Sequence, residues 1–254
     1  MRVLTTLLFL LLTAAPHADP TSSTLPAPEP IQDPATLETL RQVQQQVENL
    51  RGIERKEPLP AYYFDSDLLT NMVQSAIDKQ YPEIERKAFE RFLLSLGAIE
   101  EGLDIAEMYR RLLDEQAAGF YDPESKRLFV HETYDITGSA LARLILAHEI
   151  CHALQDHTYD LRALGIEDAN NDDLAMAILT VAEGDATVLT AQYAAAHGSD
   201  QLLQEAMTMM FMDQSALQST PYFFRQALIF PYLQGQVLVQ EALDLGPGWR
   251  DQLF

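Results

Sequence analysis

The chain is poor in cysteine, in positive charge and in long apolar runs, and each shortage excludes something. A single cysteine, Cys151, among 254 residues cannot close an intramolecular disulfide, so packing or a bound metal must hold the fold. Seventeen Lys and Arg stand against 38 Asp and Glu, a net charge of -21. No basic patch is present to take a phosphate backbone or anionic headgroups, and nucleic acid is not expected as a partner. The run from Val3 to Ala15, after Met1-Arg2, is shorter than the roughly 20 residues of a membrane span. With the small Ala18 behind it, it reads as a signal peptide over residues 1–18. No cysteine follows it to carry a lipid, and no later segment reads as a span. A secreted or periplasmic protein without stable membrane insertion is expected.

Hydrophobic residues make up 47% of the chain, enough to fill the core of one domain. Five prolines between Asp19 and Pro34 give residues 19–35 the composition of an extended linker, which leaves residues 36–254 as the domain. Leu37, Leu40, Val43, Val47, Leu50 and Ile53 recur at three- and four-residue steps and predict an amphipathic helix. Helical patterns follow from about Asp67 to Lys79, Pro82 to Leu96 and Asp104 to Ala118. The helical segment 36–111 is open to two readings, a regulatory prosegment or part of the catalytic domain. Gly119-Phe120-Tyr121 and Arg127 to Val130 then flank Asp122-Pro123-Glu124-Ser125-Lys126, which predicts a β-hairpin. Three long helices are predicted next, about Gly138 to His157, Asp173 to Ala196 and Tyr222 to Leu243, with a shorter one over the Met-rich stretch Glu205 to Met212. The expected class is α+β, mainly α, with a small β-hairpin or sheet.

His148-Glu149-Ile150-Cys151-His152 is an HExxH motif inside one of these helices. Leu141, Ile145, His148 and His152 share one stripe, and the two imidazoles lie one turn apart, about 6 Å along the axis. Both can reach one ion. Glu149 is rotated about 100° from His148, beside the ion without ligating it, where it can take a proton from water. A third ligand is needed for zinc. Glu183 is the leading candidate, because Ala182, Gly184 and Ala186 around it permit close helix approach; Asp185, Asp172 and Glu167 are alternatives. Asp185 points about 200° away from Glu183, so the two cannot both ligate, and it is placed to orient a histidine. Cys151, between Ala147 and Leu154 on a neighbouring stripe, reads as a buried small hydrophobe, and His131 and His157 as packing or surface residues. Tyr193, His197, Tyr222 and Tyr232 are each capable of donating to an oxyanion, and the sequence does not choose among them.

His148 to Asp156, HEICHALQD, resembles the active-site helix of the thermolysin-like gluzincin zinc metallopeptidases, and Glu183 matches the glutamate ligand on their following helix. Closer still is the resemblance to a group of exported bacterial HExxH proteins that combine GFYDP, HExxHALQD, EGDA and FPYxxG segments. Here these are Gly119 to Pro123, His148 to Asp156, Glu183 to Ala186 and Phe230 to Gly235, and the resemblance spans Gln116 to Trp249. It implies a zincin-like fold, one catalytic zinc ion on His148, His152 and Glu183, Glu149 as general base, and a polypeptide substrate. It also implies an edge strand beside the metal, expected here at one of the two hairpin strands, Gly119 to Tyr121 or Arg127 to Val130, with Leu128 to His131 preferred.

The sequence reading is thus an exported zinc endopeptidase. Its alternatives are an inactive zinc-containing module that binds peptides and a helical periplasmic scaffold. Twelve acidic residues against Arg162 alone between Leu144 and Phe224 lead to an expected preference for basic peptides. Mass spectrometry of the protein from its native host should find an N-terminus near Asp19, and a cytoplasmic chain that still begins at Met1 would refute the export reading.

Overall fold

The computed structural model describes residues 28–55, 57–80, 83–116, 118–165, 171–202, 205, 215–246 and 248–254. Helix α1 (Pro34–Arg51) starts where the Asp33 carboxylate accepts the Thr36 N–H at 2.8 Å, and it stops at Gly52, whose φ of 74° is left-handed. Pro34 suits the first turn, where a missing N–H costs nothing. The linker reading of residues 19–35 needs correction at its C-terminal end. Glu29–Pro30 form strand β1, which pairs antiparallel with β2 (Ala61–Phe64), and Ile31 behind it is buried. A proline is tolerated there because β1 is an edge strand.

Helices α2 (Ser66–Gln80), α3 (Glu83–Ser95) and α4 (Ile105–Gln116) follow, and then the hairpin of β3 (Gly119–Asp122) and β4 (Arg127–His131). The turn between these strands is made by Asp122, whose carboxylate accepts the Glu124 and Ser125 N–H groups at 3.0 and 2.9 Å while Lys126 takes a φ of 57°. Helix α5 (Ala140–Tyr159) is capped by Ser139 and α6 (Asp172–His197) by Asn171. After them come α7 (Ser215–Ser219), α8 (Tyr222–Leu245) and a 3-10 turn (Arg250–Leu253). The Met-rich residues 206–212, expected to be helical, lie outside the described residues, as does Glu167.

The hairpin belongs to a four-stranded sheet of order β1-β2-β4-β3, in which β2 and β4 are parallel and the outer pairs antiparallel. Residue alternation sends the two faces of β4 into different cores. Phe129 packs with Phe64, Phe89, Leu93, Tyr109 and Phe120 toward α2, α3 and α4. Leu128 and Val130 pack with Val43, Val47, Leu146, Ile150 and Leu154 toward α1 and α5. The α+β, mainly helical class is as expected. Strand β2, however, lies inside the stretch 36–111, so that segment supplies an inner strand of the sheet as well as helices.

By length and composition α6 is apolar enough to cross a membrane, with a mean hydropathy of 1.4, whereas no such segment was expected after residue 18. Its apolar surface is used inside the protein. Ala182, Ala186 and Leu189 are fully buried, and Glu183 and Asp185 sit at its centre. The small residues divide between two neighbours: Ala186 packs in the core shared with α5, while Gly184 meets Gly235 of α8. A Cβ on Gly235 would lie 2.1 Å from the Thr180 carbonyl oxygen, and one on Gly184 2.2 Å from the Gly235 carbonyl carbon. Both clashes are with backbone and can be relieved only by separating α6 from α8. Gly235→Ala should therefore lower the unfolding free energy by about 1–3 kcal/mol or more, measurable by urea denaturation; an unchanged midpoint would show that the helices do not touch there.

Candidate metal centre

Helix α5 carries His148 and His152 one turn apart, and α6 brings Glu183 against them. His148 Nε2 lies 3.1 Å from Glu183 Oε2 and 3.2 Å from His152 Nε2, and His152 Nε2 lies 3.6 Å from the same carboxylate oxygen. A tetrahedral ion with bonds of about 2.0–2.1 Å places its ligand atoms about 3.3 Å apart, which is the spacing found. These three residues form the only group of potential metal ligands among the described residues. Asp172 and Asp185, considered as alternatives to Glu183, are not in it. Glu183 is 2% exposed and His152 1% exposed, so the ligand set is closed to bulk water except on the His148 side.

The remaining ring nitrogens have partners. His148 Nδ1 is 3.3 Å from Thr190 Oγ1, and that hydroxyl donates to the Ala186 carbonyl at 2.7 Å. Its proton is committed, so it accepts the His148 Nδ1–H, and Nε2 is left with a bare lone pair toward the ion position. His152 Nδ1 is 2.9 Å from Gln155 Oε1. Two imidazole nitrogens and a carboxylate oxygen thus converge as electron-pair donors, which is the chemistry of a borderline metal site.

Without a metal the same atoms share protons. Burial disfavours the His152 cation, but the Glu183 and Glu149 carboxylates outweigh it and raise its pKa to about 9. Burial likewise opposes ionisation of Glu183, and the two imidazoles overcome it and lower its pKa to about 2. Glu149 is raised by burial, with partial relief from the histidines and from the Tyr121 N–H, which donates to its Oε2 at 2.9 Å.

That bond also fixes the role of the hairpin. Strand β4, expected to line the cleft at Leu128 to His131, has both sides occupied, by β2 and by β3. This corrects the expectation. The edge strand is β3, and since His131 N–H donates to the Ala118 carbonyl, the alternation of antiparallel pairing turns the backbone groups of Gly119 and Tyr121 outward. A cavity of about 280 Å³ lies against this edge, lined by Ala118, Gly119, Leu144, Ile145, His148, Glu149, Thr190 and Tyr232.

Of the four donor-capable residues, Tyr232 is the one at the centre. Its ring stacks on His148 with centroids 6.2 Å apart, and burial together with Glu183, to which its hydroxyl is hydrogen-bonded, raises its pKa well above the usual phenol value. Tyr193 donates instead to Gln46 at 2.9 Å, His197 lies beside Tyr193, and Tyr222 is 69% exposed. Of the twelve acidic residues from Leu144 to Phe224, Asp156 pairs with Lys126 and Asp185 with Arg51 and Arg250. Of those among the described residues, only Glu149 lines the cavity, beside Leu144, Ile145 and Ala118. Cys151 is fully buried and its thiol is pushed up by burial, as expected of a packing residue.

Sequence reasoning missed Tyr121, Gln155, Asp156, Thr190, Arg51 and Arg250. The first three stand within the quoted GFYDP and HALQD segments, which was a usable signal. Thr190 and the arginines carry no local mark. Compared with known protein families, with curated proteins and with solved structures, the chain matches none.

The proton pair between His152 and Glu183 makes the metal-free protein pH-sensitive. The raised histidine stabilises fully below its ordinary 6.5 and loses that contribution as pH rises through about 9. The depressed glutamate stabilises above its ordinary 4.5 and loses its contribution as pH falls through about 2. Metal-free protein should therefore lose melting temperature from pH 6.5 to 9, and Glu183→Gln should abolish most of that slope. An equal slope in both proteins would place the titration elsewhere.

Proposed function

We propose that the protein is an exported, zinc-dependent endopeptidase of zincin-like architecture, with His148, His152 and Glu183 as ligands. The observation that carries this reading is the convergence of three metal-ligating atoms at tetrahedral spacing with an additional buried carboxylate, Glu149, beside them. A zinc ion in that ligand set supplies Lewis acidity, which polarises a peptide carbonyl and acidifies a water molecule.

The chain's own residues supply the rest. Glu149 is 9% exposed, and burial raises its proton affinity. One of its oxygens is held by the Tyr121 N–H, which aims the other at the cavity. That oxygen takes the proton of the attacking water and returns it to the amide nitrogen as the C–N bond breaks, so the carboxylate is regenerated. Tyr232, which also lines the cavity, turns its O–H from Glu183 to the carbonyl oxygen as negative charge develops there. The outward N–H and C=O of Gly119 on β3 offer an extended peptide a backbone partner, which fixes the scissile bond beside Glu149. Leu144 and Ile145 give the adjoining side-chain site an apolar wall, so a small or apolar residue next to the cleaved bond suits it better than a charged one.

Glu149→Gln separates an enzyme from a zinc-holding peptide binder. The change removes the base and leaves all three ligands in place. Zinc content should stay at the wild-type level while peptide hydrolysis falls about 10²–10⁴-fold. Hydrolysis of a peptide library at the same rate by both proteins would refute the assignment.

A further inference from the structure

A buried charge cluster lies directly behind His152. Asp185 is 0% exposed, and Arg51 and Arg250 are 7% and 4% exposed. Arg51 Nε donates to Asp185 Oδ2 at 3.1 Å, and Arg250 Nε donates to Asp185 Oδ1, with its second arm on the Asp185 carbonyl at 3.2 Å. Arg51 also pairs with Asp251 at 2.8 Å, and Asp251 accepts from Tyr159 at 2.7 Å. One carboxylate on α6 therefore joins the end of α1 to the 3-10 turn after α8. Isolated buried charges are expensive, and a cluster of this kind persists when each member is paired.

Gln155 connects the cluster to the metal centre. Its Nε2 donates to Asp185 Oδ2 and to the Ala182 carbonyl, each at 2.9 Å, and its Oε1 is 2.9 Å from His152 Nδ1. Both groups on the Asp185 side can only accept: one is a backbone carbonyl, the other a carboxylate held between two guanidinium groups. The amide must therefore turn its NH2 toward them and its oxygen toward the histidine. That oxygen needs a donor, so the His152 proton sits on Nδ1 and Nε2 is left free for the ion.

We infer that Gln155 is the positioning residue of His152, and that the Arg51–Asp185–Arg250 cluster dictates its polarity, so that packing of α1 and of the 3-10 turn sets the tautomer of a metal ligand. The inference rests on the zinc site proposed above. It assigns to Gln155 no contact with substrate; its effect passes through the imidazole alone.

The test uses the full chain, zinc as the probe and Gln155→Met, which keeps the side-chain volume and removes the amide. Zinc affinity should fall about 10–100-fold. The zinc-loaded variant should also lose more melting temperature than the metal-free variant. A purely structural role for Gln155 predicts equal losses in both forms and an unchanged zinc affinity, and that result would overturn the inference. If the variant does not fold, long-range 15N–1H correlation spectra of zinc-loaded wild type decide instead: a proton on His152 Nδ1 with zinc on Nε2 is the expected result, and the reverse arrangement overturns it. A wild-type chain that takes up no zinc would bring down the metal site itself, whereas equal zinc binding by wild type and Gln155→Met would bring down only the positioning role.

Discussion

Three electron-pair donors held within 3.6 Å of one another, largely out of reach of water, are the constraint around which this protein is arranged. Lone pairs repel, and burial removes the solvent that would relieve them. The group is stable only if a cation or shared protons sit between the donors and if the backbone prevents them from separating. The backbone constraint comes from packing. Ala182 and Ala186 let α6 lie close to α5, and the Gly184–Gly235 contact presses α8 against the opposite side of α6. Glu183 thus has nowhere to retreat, and its short side chain reaches both histidines.

The orientation constraint comes from hydrogen bonds behind the ligands. Thr190 holds one imidazole and Gln155 the other, while the Tyr121 amide holds Glu149. Each of these is in turn committed elsewhere: Thr190 to the Ala186 carbonyl, Gln155 to Asp185 and Tyr121, through its hydroxyl, to Asp156 at 2.6 Å. Lys126 closes the last of these by pairing with Asp156 at 2.7 Å. The hairpin turn and the far end of α5 are therefore tied together, which keeps the β3 edge beside Glu149. Four short segments of the chain meet in this one network. Gly119 to Pro123 supplies Tyr121, His148 to Asp156 supplies two candidate ligands with Gln155 and Asp156, Glu183 to Ala186 supplies the third candidate ligand with Asp185, and Phe230 to Gly235 supplies Tyr232 and the glycine contact.

Much of the fold was legible in the sequence, and so was the centre of the site. The helices α1 to α6 and α8 and the β3–β4 hairpin follow from periodicity, caps and turn residues, which act within a few positions of the chain. The HExxH spacing works the same way, since a helix alone brings His148 and His152 to one side. Glu183 was reachable because its small neighbours signal close helix packing. The tertiary structure alone decided the rest. Strand β1 has only two residues, and β2, although as long as β3, has no turn and partner strand beside it in the sequence; the parallel β2–β4 pairing, which makes β3 and not β4 the edge, joins residues more than 60 positions apart. The same holds for Arg51, Asp185 and Arg250: a long-range ion pair leaves no periodicity around either partner, so nothing near Arg51 or Arg250 in the sequence marks them as neighbours of the candidate metal centre. Local interactions write a pattern into the chain, and contacts between distant segments become visible only when the fold has closed.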